Sequence, residues 1–287
     1  MSKIDIRDIA ANGMTFRCRT AGDNGEPVVL LHGFPETSHM WVDLMPRLVA
    51  AGYRCIAPDQ RGYSPGARPQ EVDAYGYRGL SSDVFALADA MGFERFHLIG
   101  HDWGALVGWA MLGLDDHSRI ASYTSLSIPH AVAMARDTYE NPAGDLYRGI
   151  LTFLLTEGGP ETAFVADDGK ALREVYTHST PEEVDEYVSV LAQPGAMRGA
   201  ANWYRASQGH KLALEPGSPF GDVATPTLLI VGRNDPYVLR GALDGAAPLM
   251  KGEYRVVELD AGHWLAQEAP DRVANEVLDF LRAHKLA

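Results

Sequence analysis

The sequence predicts a doubly wound α/β fold, a mostly parallel β-sheet with an inserted helical lid, and three observations carry that expectation. Short apolar runs alternate with helical patterns, as βαβ units require. The runs lead into Gly, Asp and His residues, at the carboxyl ends of parallel strands where such sheets bind ligands. From Pro129 to about Thr225 no strong strand run appears, and the patterns are helical with Pro and Gly punctuation.

In chain order, PVVLL at 27–31 leads to His32-Gly33, RCIA at 54–57 to Pro58-Asp59, and FHLI at 96–99 to Gly100-His101-Asp102. PTLLIV at 226–231 leads to Gly232, and YRVVEL at 254–259 to Asp260. Continuous apolar runs of this kind suit strands covered on both faces. Leu80, Val84, Leu87 and Met91 fall at helical spacing, as do Val273, Val277 and Phe280, so each set predicts one buried helix stripe. Thr180-Pro181-Glu182-Glu183 reads as a capping box with Pro at the first helical position. It opens a helix with Val184, Tyr187, Val188 and Leu191 on its apolar face. The expected division is a core of residues 1–129 and 221–287, with residues 130–220 as the helical lid folded over its catalytic end.

A chain of 287 residues suits one large domain with such an insertion. Hydrophobic residues make up 46% and charged ones 22%, which excludes a disordered chain. No apolar stretch reaches the length of a membrane span, and MSKIDIRDIA carries charges where a signal peptide has an apolar run. The reading is cytoplasmic. Cys18 and Cys55 are the only cysteines and are expected as buried, reduced thiols. A formal net charge of −13 repels phosphate backbones and anionic membranes, so neither nucleic acid nor membrane is an expected partner. No spacing of His, Cys and carboxylates demands a metal, and no cofactor is expected.

Gly100-His101-Asp102-Trp103-Gly104 lies between an apolar strand and a helical segment. Small residues at its two ends permit the tight strand-to-helix turn of a nucleophile elbow, with aspartate at the position usually held by serine. Asp102 alone is also readable as a helix cap, a common job for aspartate. Three further features favour the nucleophile. His32-Gly33-Phe34-Pro35 follows an earlier strand, where the backbone N–H of Phe34 joins that of Trp103 as an oxyanion hole. Asp235 follows one late strand and His263 the next. Nucleophile, acid and histidine thus stand in the order of the α/β hydrolases, with Asp235 holding the imidazole and stabilising its protonated form. His32 and His101 are expected to orient the oxyanion loops, and Asp59 and Arg61 to brace loops through ion pairs.

A carboxylate attacking an ester gives an anhydride, a poor route to hydrolysis. Attack on an sp³ carbon that bears a leaving group gives an ordinary ester on the enzyme, which water activated by His263 then hydrolyses. The substrate therefore carries a strained ring or a halide, and a serine-esterase reading is disfavoured.

HGFPE at 32–36, GHDWGA at 100–105, GRNDPYV at 232–238 and AGHW at 261–264 resemble the epoxide hydrolases of the α/β-hydrolase fold, through nearly the whole chain. The resemblance implies a small apolar epoxide and water as reactants, and two lid tyrosines that grip the epoxide oxygen. Asn202-Trp203-Tyr204-Arg205 matches one lid segment and puts Tyr204 in that role. The second tyrosine should fall near 150–155, where this chain has none. Tyr147, one helical turn before Leu151, is the candidate to replace it.

The haloalkane dehalogenases, which use the same triad, are the rival. Trp103 suits halide binding, but Phe34 has no polar side chain where such relatives commonly place asparagine, and the motif around Trp203 points to the epoxide family. Fluoroacetate dehalogenases are similar too, but typically carry arginine where Trp103 stands. A ligand-binding protein that lost turnover is a further alternative, opposed by the complete triad.

Overall fold

The computed structural model describes residues 3–114 and 118–286. Its sheet has eight strands: β1 (Ile4–Ala11), β2 (Met14–Ala21), β3 (Glu26–Leu31), β4 (Tyr53–Pro58), β5 (Phe96–His101), β6 (Ile120–Leu126), β7 (Thr227–Gly232) and β8 (Tyr254–Leu259). They lie in the order β1-β2-β4-β3-β5-β6-β7-β8. β1 and β2 form an antiparallel hairpin, β2 pairs antiparallel with β4, and every later pairing is parallel. Asn12 and Gly13 close the hairpin with positive φ at both positions, the geometry of a two-residue turn whose twist matches its strands.

The chain leaves β3 toward β4 on one side and returns to β5 on the other. This reversal opens a crevice beyond the carboxyl ends of β3 and β5, where open α/β sheets bind ligands. The strands on either side of it are buried throughout apart from the first residue of β3.

Helices follow the strands: α1 (Leu44–Ala50), α2 (Tyr77–Ala90) and α3 (Trp103–Leu114) before β6. Between β6 and β7 come α4 (Ala131–Glu140), α5 (Asp145–Leu155), α6 (Gly159–Ala163), α7 (Ala166–Arg173), α8 (Pro181–Leu191) and α9 (Ala196–Ala206). α7 is interrupted at residues 167–169, where φ is positive. α10 (Arg240–Ala246), α11 (Leu265–Glu268) and α12 (Pro270–Ala283) complete the fold. No helix among the described residues is long and apolar enough to cross a membrane.

The expected helix faces are where the periodicity put them. Leu80, Val84 and Leu87 are buried on α2, and Val273, Val277 and Phe280 on α12. α8 opens with the capping box: Thr180 Oγ1 accepts from the Glu183 N–H, and the Glu183 carboxylate accepts from the Thr180 N–H. Cys18 and Cys55 are buried and unpaired.

Two strand expectations differ from what forms. The run 254–259 becomes β8, yet this edge strand buries only Leu259 fully. Two of its side chains form ion pairs, Glu258 with Arg240 and Arg255 with Glu276. Conversely, β6 has the mixed composition IASYTSL but is buried at every residue. Three of its polar side chains are satisfied internally, Ser122 by His97, Tyr123 by the Ala105 carbonyl and Ser125 by the Ile128 carbonyl, which offsets the penalty for burying them. The buried Thr124 hydroxyl has no partner among the described residues.

The helices between β6 and β7 are tied down by specific contacts. The Trp203 indole N–H donates to the Arg61 carbonyl (2.8 Å), and the Tyr176 hydroxyl to the Pro35 carbonyl (2.5 Å). Glu186 on α8 pairs with both Arg17 (2.8 Å) and Arg19 (2.9 Å) on β2. α9 approaches the core most closely where Gly199 meets Gly62, and a Cβ on Gly199 would lie 2.5 Å from the Gly62 Cα.

In a free helix alanine is favoured over glycine by about 1 kcal/mol, whereas overpacking costs about 1–3 kcal/mol. Gly199→Ala should therefore lower stability on balance, read as a reduced urea midpoint with an unchanged slope. A raised midpoint would mean that α9 is free to shift.

Candidate active site

β5 ends at His101 and α3 begins at Trp103, so Asp102 alone makes the turn. Its φ is +49°, in the left-handed region that costs a non-glycine residue about 1–2 kcal/mol. Close packing around the turn holds it there. A Cβ on Gly104 would run into the Leu31 carbonyl, and one on Gly100 would lie 2.5 Å from the Gly104 carbonyl oxygen. The main-chain carbonyl of Asp102 starts the helix by accepting from Ala105 and Leu106. The side chain does not cap it. One carboxylate oxygen, Oδ1, accepts from the Phe34 N–H at 2.7 Å, and Oδ2 lies 3.5 Å from His263 Nε2.

On the far side of the ring, His263 Nδ1 is 2.7 Å from Asp235 Oδ2. Asp235 is itself fixed, because its Oδ1 accepts from the Tyr237 N–H at 2.8 Å. The His263 carbonyl accepts from the Ser127 hydroxyl (2.7 Å) and from His101 Nε2 (2.9 Å). Glu268 accepts from the N–H groups of Gly262 and Trp264 on either side of His263. The loop after β8 is thus pinned by side chains from three other segments.

Burial by itself would pull the His263 pKa down. The charges of Asp235 and Asp102 outweigh it and raise the value to about 10. Asp102 moves in the complementary direction. Burial pushes its pKa up, but His263, the nearby His101 and the Phe34 N–H together bring it below the ordinary carboxylate value. At neutral pH the resting arrangement is one imidazolium between two carboxylates.

Above Asp102 and His263 lies a cavity of about 630 Å³. Its walls are largely apolar, with Met134, Phe153, Phe164 and Trp264 among them, and its hydroxyls belong to Tyr147, Tyr204 and Tyr237. Tyr204, on α9, packs edge-on against Trp103 (5.0 Å between centroids) and Phe34 (5.4 Å). Tyr147, on α5, has its hydroxyl 2.9 Å from His210 Nε2. Burial, and then the charge of Asp102, push both tyrosine pKa values well above the ordinary one, so both are neutral donors.

The family described as alpha/beta hydrolase fold matches residues 26–270. The chain belongs to the α/β-hydrolase family. It is 31% identical to Epoxide hydrolase A of Mycobacterium tuberculosis over 98% of each chain. It is also 31% identical to Epoxide hydrolase 4 of Homo sapiens, over 96% of this chain and 77% of that one. Among solved structures it is similar to Epoxide Hydrolase A from Mycobacterium thermoresistibile, with a TM-score of 0.86 and 29% identity, covering 99% of this chain and 100% of that one.

In this α/β hydrolase Asp102, His263, Tyr204, Tyr147 and Phe34 line one cavity. Asp235 is bonded to His263 Nδ1, the Phe34 N–H donates to Asp102, and Trp103 is the first residue of α3. The first N–H of a helix has no intrahelical acceptor, which leaves that of Trp103 to face the turn. The bracing residues sit one layer away. Asp59 bonds to Arg17 and Ser38, Arg61 to Asp83, and His32 Nε2 accepts from the Gln60 N–H.

Several neighbours of the site receive no role from the sequence alone, although Glu36 closes the HGFPE stretch. Glu36, fully buried, lies 3.0 Å from His101 Nδ1 and accepts from Gln267. Tyr237 packs edge-on against His263 at 4.9 Å. It lies inside the GRNDPYV stretch, but no spacing marks its ring. His210 stands alone in a loop after α9, without a motif.

Asp235→Asn removes the largest charge that holds the His263 proton, so its pKa should fall from about 10 toward or below the ordinary value of about 6.5. Because the folded value is the raised one, this ion pair contributes stability fully below about pH 6.5 and loses it as pH rises toward 10. Histidine ¹³C or ¹⁵N shifts followed against pH read the change. An unmoved midpoint would mean that Asp235 does not set the charge of the ring.

Proposed function

We propose that this α/β hydrolase opens an epoxide to a vicinal diol through an ester on Asp102. The observation that carries the reading is a charged Asp102 at the elbow, across an apolar cavity from the hydroxyls of Tyr204 and Tyr147, in a chain whose relatives are named epoxide hydrolases.

Asp102 Oδ attacks a ring carbon, and the carbon–oxygen bond of the strained ring breaks with its electron pair on the oxygen. An alkoxide in an apolar pocket must be hydrogen-bonded or protonated, and a neutral tyrosine hydroxyl supplies that proton. The new ester no longer carries the Asp102 charge. One of the two carboxylates that hold His263 protonated is thereby lost, and the imidazolium proton becomes available to balance the one taken from the tyrosine. Neutral His263 then takes a proton from water, which attacks the Asp102 carboxyl carbon. The N–H groups of Phe34 and Trp103 receive the oxyanion. Collapse releases the diol and restores the carboxylate and the imidazolium, so one epoxide and one water are consumed. Buried, unpaired Cys18 and Cys55 fit the cytoplasmic setting that belongs to this reading.

The dehalogenase alternative has one observation in its favour: the buried Trp103 indole N–H interacts with the Tyr204 hydroxyl but has no acceptor at full hydrogen-bond geometry among the described residues. A second donor is harder to find, since the Trp203 indole N–H is committed to Arg61. Turnover of styrene-oxide-like epoxides beside chloroalkanes, with diol and halide both followed, decides between them. Diol without halide is expected, and halide release alone would reverse the assignment.

A single turnover in ¹⁸O-water should place the label in the Asp102 carboxylate, detected by mass spectrometry of its peptide. Unlabelled Asp102 alongside labelled diol would rule out the ester. Tyr204→Phe should slow ester formation by about 10²–10³, the usual value of a donor used in the transition state, and leave ester hydrolysis nearly unchanged. Tyr147→Phe should cost a similar factor if it is the second donor. Wild-type ring opening by Tyr204→Phe would remove that residue from the mechanism.

A further inference from the structure

Tyr147 lines the cavity, and its hydroxyl lies 2.9 Å from His210 Nε2. His210 is placed with care. Gln208, Gly209 and His210 have positive φ in succession, a left-handed turn that reverses the chain after α9. The Gly209 N–H donates back to the Tyr204 carbonyl at 2.8 Å, and the His210 N–H to the Ser207 hydroxyl. Left-handed backbone is unfavourable for the two side chains that are not glycine. The turn brings the His210 ring parallel to that of Tyr147 and against Trp103 and Tyr204. Its other nitrogen, Nδ1, lies 3.4 Å from the hydroxyl of Tyr77, whose ring is packed between Trp103 and Phe220. Each ring nitrogen thus faces one tyrosine.

We propose that His210 is a positioning residue for epoxide opening: its Nε2–H donates to the Tyr147 oxygen and leaves the Tyr147 proton free for the ring oxygen of the substrate. This role rests on the epoxide reading above. Burial lowers the His210 pKa to about 4 against the opposing charge of Asp102, so the ring is neutral at working pH and has one N–H and one lone pair. Two tautomers are open to it. With the proton on Nδ1, the ring accepts from Tyr147, whose only proton is then spent on His210. With the proton on Nε2, the ring accepts from Tyr77 and donates to Tyr147, which then has a proton to give. Only the second lets Tyr147 serve as an acid. It also answers a difficulty of the site, since Tyr147 is held well above its ordinary pKa by burial and by Asp102. A donor on the phenol oxygen stabilises the charge that builds there as the proton moves.

The test combines a tautomer measurement with a kinetic cycle. Long-range ¹H–¹⁵N couplings in labelled enzyme at neutral pH should show His210 as the Nε2–H form, and the Nδ1–H form would overturn the role directly. In single turnovers with styrene oxide, His210→Phe keeps an aromatic ring but has no ring donor. It should slow ester formation by about tenfold, as loss of one hydrogen bond does, and leave ester hydrolysis unchanged. In a Tyr147→Phe background the same change should add less than about twofold, and His210→Gln should recover part of the loss. A cost that is equal in both backgrounds, or that falls on both steps, would mean that His210 only fills space. If His210→Phe fails to fold, the Gln variant carried through the same cycle gives the answer. Wild-type enzyme that forms no ester from any epoxide would sink the epoxide reading itself. The Nδ1–H form in an enzyme that does form the ester would sink the His210 role alone.

Discussion

Asp102 sits in a left-handed backbone conformation at the one place in the sheet where the strand order reverses, and the rest of the site is built around that constraint. The turn lifts the carboxylate out of the strand and away from the helix it starts. There it meets the Phe34 N–H from the loop after β3, because β3 and β5 are neighbours. A Cβ at Gly33 would run into the Asp102 side chain, so the two loops touch with no space to spare. Strain at a residue of this kind persists only where its surroundings overdetermine it. Here glycines on three sides do so.

The second constraint is charge. A carboxylate this buried is unfavourable unless it is paired, and His263 pairs it while Asp235 pairs His263. Two negative groups share one positive one, which explains both the high imidazolium pKa and the low one of Asp102. The helices after β6 complete the arrangement by covering it with apolar side chains. In that setting tyrosine is the donor that stays neutral without a counter-ion, whereas a lysine would need one.

Much of this geometry was legible in the sequence, for a physical reason: Asp102, Asp235 and His263 each follow a strand, and strands of a covered parallel sheet announce themselves as apolar runs. The runs at 27–31, 96–99 and 226–231 all became central strands. β6 did not announce itself, because its serines are satisfied inside the fold rather than by solvent. The run at 254–259 suggested a covered strand, but an edge position left most of it open. Glu36, Tyr237 and His210 stayed invisible for another reason. Each acts through partners distant in sequence, so nothing local reveals its role. Tyr147 shows the limit most clearly: helical periodicity placed its side chain on the cavity side, but its bond to His210, 63 residues later in the chain, depends on how a loop turns.

On the proposed epoxide reading, the cavity and the chemistry also fit each other. A net charge of −13 gives no electrostatic steering to a neutral epoxide, so binding must come from burying apolar surface, at roughly 25 cal/mol per Å². A space of about 630 Å³ falls within the range of small-molecule sites. Ring opening then replaces one weakly polar oxygen by two hydroxyls, among walls that offer few partners. Each hydroxyl left without a hydrogen bond in such a place is unfavourable by about 1–3 kcal/mol. On that reading, the same walls that hold the substrate weaken the hold on its product.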